Sequence, residues 1–135
     1  MSALSAGVSA RPTRIVAILF ALGSLEHAVG FVLLLFGVEM YTNYPAWRHA
    51  AFTCVDALIA YLGFRRPDRL FLPLLAFLIE QCAVNGTFAW RRWRTTGEIL
   101  WIVPVMVLLI AAATVIAARE RSKEMTRVGI EPTAL

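Results

Sequence analysis

The chain has 135 residues, 59% of them hydrophobic and only 16% charged, and its mean hydropathy of +0.69 exceeds what a soluble core requires. Its net charge of +4 comes from 13 Lys and Arg residues against 9 Asp and Glu. The basic residues gather at the ends of apolar blocks, where anionic headgroups attract them, so no nucleic-acid partner is needed to explain the charge. The 2 cysteines, Cys54 and Cys82, are not spaced as CxxC, which excludes a zinc ribbon or a thioredoxin-like motif. Both read as small packing residues within apolar blocks.

In chain order, residues 1–13 are rich in Ser and Ala and read as a flexible N-terminus. Four apolar segments follow, at about 15–38, 46–64, 70–90 and 99–118. Each approaches or exceeds the roughly 20 helical residues that cross a hydrocarbon core about 30 Å thick. The first is too long for a signal-peptide core and has no small-x-small cleavage site, so it reads as a retained anchor. The second is the least apolar. Its uninterrupted run begins only at Ala50, and Asp56 lies inside it. Pro45 and Pro67 suit turns that reverse the chain, and Pro104 is expected to bend the fourth segment. Residues 119–135 alternate charged and small polar residues and read as a flexible tail, frayed beyond about Lys123. The connections are short, so neighbours must run antiparallel. The expected fold is an all-α, up-and-down bundle of four transmembrane helices over residues 14–118.

Nine basic residues flank the side shared by the two termini: Arg11, Arg14, Arg65, Arg66, Arg69, Arg119, Arg121, Lys123 and Arg127. Arg48, Arg91, Arg92 and Arg94 flank the other side. The positive-inside rule then puts both termini in the cytoplasm, as expected of a bacterial inner-membrane protein. Tyr41, Tyr44, Trp47, Trp90, Trp93 and Trp101 fall at the predicted outer interface, where they read as an aromatic belt or as a lid over a cavity. The cluster at Arg91, Arg92 and Arg94 reads as interfacial anchoring, or as a site for a phosphate-bearing ligand or a partner.

Three acids lie near the middle of the first three segments, namely Glu26, Asp56 and Glu80. Acids there are costly and mark pathways or sites. Helical stepping gives each of them company. Gly23, His27, Gly30, Leu34 and Gly37 form a seam flanked by Glu26, and small residues there admit a close neighbour. His49, Thr53, Asp56, Ala60 and Gly63 form one stripe of the second segment, while Gln81, Asn85 and Thr87 accompany Glu80. His27, His49, Thr53 and Asn85 all lie on the outer side of the acids, so the polar track opens outward. Cys54 and Cys82 step onto opposite faces.

These groups suit acid–base chemistry on a small hydrophobic molecule, of isomerase, hydrolase or cyclase type. Glu26 and Asp56 would be the acid–base pair, His27 and Glu80 would tune or orient them, and Asn85, His49, Gln81 and Thr53 would contact the ligand. The alternative is a non-catalytic subunit of a larger membrane assembly or a homo-oligomer, whose polar groups bind a partner helix, lipid or pigment. A purely structural role, in which the acids hydrogen-bond neighbouring helices, also fits each position. Proton-coupled transport would need an oligomer to build alternating access. No metal or cofactor is expected, because His27 and His49 sit at different predicted depths and no histidine-rich cluster occurs.

The pattern Glu26-His27-x-x-Gly30, followed by Pro45-x-Trp47-Arg48-His49 with Asp56 beyond it, resembles small bacterial four-span membrane proteins of DoxX-like type over roughly residues 22–64. The use of midplane acids in a compact bundle is also similar to the emopamil-binding and sigma-2 receptor group. Members of that group isomerise sterols or bind amphiphilic amines. That second likeness is one of site design and implies no residue correspondence.

Overall fold

The computed structural model describes residues 6–38 and 45–128. Among these the secondary structure is helical: α1 Ala6–Leu35, α2 Ala46–Arg65, α3 Phe71–Thr96 and α4 Ile102–Arg127, with a single 3₁₀ turn at Pro67–Arg69. The chain divides into two helical hairpins, α1 with α2 up to Arg66, and α3 with α4 from Pro67 onward. Tyr41 and Tyr44, and the tail beyond Val128, lie outside the described residues.

Helix ends follow local chemistry. At the end of α1, Gly37 adopts φ 75. Its N–H bonds the Leu34 carbonyl at 3.1 Å while that of Val38 bonds Leu33 at 3.0 Å, the paired closure of a Schellman motif. α2 stops at Arg65 because the next residue, Arg66, precedes Pro67 and is pushed out of the helical region. α3 ends on Gly97, at φ 73, whose N–H returns to the Trp93 carbonyl. In α4, Pro104 falls in the first turn, where a backbone N–H has no helical partner to lose.

Both helical termini reach further than the sequence suggests. α1 starts at Ala6, inside the segment read as flexible, and α4 runs through the expected tail to Arg127. In that tail Lys123 pairs with Glu120 at 2.7 Å and Arg127 with Glu124 at 4.0 Å, both at i,i+3 spacing. Charges so spaced support a helix that has no apolar face to bury. α3 likewise continues past Trp90, so Arg91, Arg92 and Arg94 lie on its last turns rather than in a loop. Cations are favoured at that end of the helix dipole. Arg92 also clamps Glu98 across the turn at 2.8 Å, and Arg94 lies 5.9 Å from the centre of the Trp90 ring.

In the first hairpin Val16, Ala17, Ile59 and Ala60 are buried. α1 and α2 meet closely at Gly63, where an added Cβ would lie 2.8 Å from the Ala17 Cβ. In the second hairpin the buried residues include Leu70, Leu74, Val103, Ile110, Ala113 and Ala117. Large apolar side chains such as Leu19, Leu22, Ile79, Leu108 and Leu109 are exposed instead. Cys54 and Cys82 are also exposed, so neither is the packing residue expected.

Three helical segments are long and apolar enough to cross a membrane: Pro12–Leu35, Phe71–Thr96 and Ile102–Arg127, with mean hydropathies of 2.0, 1.4 and 2.3. By composition alone α2 does not join them. Arg48, His49 and Asp56 dilute its 20 residues.

Candidate functional site

The polar stripe of α2 is the face it turns to α1. His49, Asp56, Ala60 and Gly63 are buried along it, and Thr53 is half-buried. The partners run antiparallel, with His27 beside His49, Ser24 beside Thr53, Gly23 beside Asp56, and Ala17 beside Gly63. Small residues set this register. Glycine at 23 leaves room for the Asp56 carboxylate, since a Cβ there would sit 3.0 Å from Oδ2, and Gly63 admits Ala17 at the other end. Asp56 is therefore level with Gly23, three residues and about 4.5 Å along α1 from Glu26.

The same register corrects the separation expected of the two histidines. His27 Nδ1 and His49 Nδ1 are 3.2 Å apart. On the other side of its ring, His27 Nε2 lies 3.9 Å from Asp56 Oδ2. His27 thus stands between His49 and Asp56, with one nitrogen toward each. Phe52 stacks on the imidazole at 5.2 Å between ring centres and 25° between planes, and the Arg48 guanidinium carbon lies 5.2 Å from the centre of the Phe52 ring. Stacking fixes the plane of the ring.

Hydrogen bonds tie the surrounding backbone. Ser24 Oγ donates to the Thr53 carbonyl at 2.9 Å, and Thr53 Oγ1 donates to the His49 carbonyl at 2.8 Å. The Thr53 hydroxyl thereby donates its proton within its own helix, as mid-helix threonines often do. Asp56 is only 4% exposed, yet its Oδ1 has no hydrogen-bond partner among the described residues. A buried polar atom in that condition is uncommon and costs free energy.

The remaining predicted residues are placed differently. Glu26 is exposed. Glu80, Gln81 and Asn85 form an array of their own on α3, in the second hairpin. Gln81 Nε2 donates to Glu80 Oε2 at 2.7 Å, Asn85 Nδ2 donates to Gln81 Oε1, and Gln81 and Asn85 are both buried. Thr87 donates to the Ala83 carbonyl of the same helix. Among the described residues no three His, Cys, Asp or Glu side chains are arranged to hold a metal ion. An open apolar depression on α1, lined by Ala28, Val29, Val32 and Leu33, includes none of these polar groups.

Two contributors were not singled out from the sequence, Ser24 and Phe52. Ser24 lies three residues before His27 on the same helical face, and Phe52 three after His49, so stepping from the histidines would have reached both. No family model, curated protein or solved structure matches this chain. The likeness to DoxX-like proteins therefore has no matched relative behind it.

Proposed function

We propose that this is a four-span integral membrane protein that carries out acid–base chemistry on a small hydrophobic molecule, with Asp56 as the reacting carboxyl. The observation that carries the reading is the Asp56 side chain, buried beside His27 through Oδ2 while Oδ1 meets no partner. In a low-dielectric interior an unsatisfied carboxyl oxygen costs on the order of 1–3 kcal/mol. Such a group persists where function requires it, since a residue kept for stability would find its partners. Oδ1 is the atom left to meet a ligand, and His27 orients the carboxyl from the other side. Glu26, exposed and adjacent to His27, supplies the second carboxyl that a proton donor and acceptor pair needs.

α2 joins the three apolar helices as a span because of its partner. It pairs with α1 from His27 and His49 to Ala17 and Gly63. A helix that accompanies a spanning segment over that length lies at the same depth, and its 20 residues reach about 30 Å. His49 and Asp56, which lower its hydropathy, face α1. With the basic residues as distributed, both termini face the cytoplasm and the first turn of α2 lies at the outer interface.

The test incubates the full chain in lipid nanodiscs, in D2O, with a membrane lipid extract, and compares products by mass spectrometry with those of Asp56→Asn. The reading expects a lipid-phase species that gains deuterium or changes mass with the wild type alone. Extracts that stay the same with a folded wild-type protein would overturn it. Loss of a co-purifying membrane protein in Asp56→Asn, without any product, would transfer the cluster to the accessory-subunit reading.

A further inference from the structure

We infer that the C-terminal end of α3 is a binding surface for an anionic phospholipid headgroup. Arg91 and Arg94 meet its phosphate, and Trp90 and Trp93 seat it at the edge of the hydrocarbon. The inference rests on α3 as a membrane span and is independent of the reading of Asp56.

Trp90, Arg91, Arg92, Trp93 and Arg94 are all exposed, yet they divide by face. At about 100° per residue, Trp93, Trp90, Arg94 and Arg91 follow one another around a single arc of about 160°. Leu74, Gln81 and Asn85, the buried residues of α3, step onto the opposite side, and Arg92 is in line with them. Arg92 is also committed to a carboxylate, since its Nε and Nη2 donate to Glu98 Oε2 at 3.0 and 2.8 Å. Among the described residues no ion pair or hydrogen bond engages the Arg91 guanidinium. Arg94 rests over the Trp90 ring, 5.9 Å from its centre, and the Trp90 and Trp93 rings stand 5.0 Å apart with a tilt of 53°. The outward arc is thus an aromatic pair beside two guanidiniums that the neighbouring carboxylate does not neutralise.

Depth and charge select the occupant. From Phe71 to Ala89 α3 rises about 28 Å, close to the hydrocarbon thickness of about 30 Å. Trp90 then sits at the edge of the hydrocarbon, where indole rings concentrate. Arg91 and Arg94 follow within about 6 Å, at the level of the headgroup phosphates. Residues at i,i+3 stand about 5–6 Å apart at their Cβ atoms, so both guanidiniums can reach the oxygens of one phosphodiester, through charge-assisted hydrogen bonds. Three guanidiniums against Glu98 leave two positive charges in excess between Trp90 and Trp101. That excess favours a net anionic lipid over a zwitterionic one, whose ammonium it repels. In the orientation proposed above this is the outer end, where the positive-inside rule places few basic residues, so topology does not account for them.

The experiment places the full chain in vesicles of phosphatidylcholine with roughly one phosphatidylglycerol in ten. Trp47→Phe and Trp101→Phe leave Trp90 and Trp93 as the reporting indoles. Bromine is carried on the acyl chains of one lipid or the other, and quenching of tryptophan fluorescence gives the lipid composition beside the two rings. Phosphatidylglycerol should be enriched there at least about threefold. Arg91→Gln with Arg94→Gln should abolish the enrichment, and if that pair disturbs folding, as read by circular dichroism, Arg91→Gln alone should lower it. Arg92→Gln with Glu98→Gln removes a neutral pair and should keep the enrichment. Enrichment that survives the loss of Arg91 and Arg94, or that is lost with the neutral pair, overturns the assignment. Its absence from the unsubstituted cluster overturns the lipid surface and leaves these cations to an acidic protein partner. Inorganic phosphate added at constant ionic strength should change nothing, and if it abolishes the enrichment the cluster takes a free anion instead of a lipid.

Discussion

Replacing Gly63 by alanine tests the close contact that sets the α1–α2 register. The new Cβ would lie 2.8 Å from the Ala17 Cβ and 3.2 Å from the Thr13 carbonyl oxygen. Carbon atoms in contact prefer about 3.5–4.0 Å, so the helices must part by roughly 1 Å. Neither neighbour can yield, because one is a methyl on the backbone and the other is backbone itself. Overpacking of this kind costs about 1–3 kcal/mol, and the better helix propensity of alanine returns up to about 1 kcal/mol. Gly63→Ala should therefore lose on the order of 1–2 kcal/mol. Gly86→Ala is the control. A Cβ there meets nothing within 4 Å, so only the propensity gain remains. Reversible unfolding by sodium dodecyl sulfate, followed by circular dichroism, should move the two variants in opposite directions. If Gly63→Ala is stabilised to the same degree as Gly86→Ala, the close approach and the register built on it are wrong.

Gly23→Ala should cost less than about 1 kcal/mol, because the nearest atom, Asp56 Oδ2 at 3.0 Å, ends a side chain that can rotate. That rotation should still disturb the His27 ring nitrogen shifts. Asp56→Leu should leave stability unchanged or raise it by up to about 2 kcal/mol, since it removes a buried oxygen that has no partner. Activity should vanish at the same time, and a large loss of stability would instead assign Asp56 a structural role. On α3, a double-mutant cycle of Gln81→Ala and Asn85→Ala should give a coupling of about 0.6–1.7 kcal/mol, read from the same unfolding assay. Gly97→Ala should lose about 1 kcal/mol because its φ of 73 is unfavourable for a side chain, and Gly97→Asn should lose less.

The sequence by itself determined the helices and the polar stripes they carry. Hydropathy, turn residues and i,i+3 and i,i+4 spacing are local quantities, so the stripe from His49 to Gly63 could be drawn before any neighbour was known. Local spacing was less informative at the ends. Residues 119–127 lack an apolar period, but their i,i+3 ion pairs and carbonyl closures continue α4 there.

Tertiary structure alone decided which polar groups meet. Successive helical residues differ by about 100° in direction, so Glu26 and His27 do not share a face, and only His27 is held between His49 and Asp56. Depth was decided in the same way. The sequence put three acids near the middle of three segments, but the offset between two helices depends on where small residues let their backbones approach. Gly23 and Gly63 admit the close approaches here, which puts Asp56 against Gly23 and brings His27 to His49. Composition along one helix contains no such information, because register is a property of the pair.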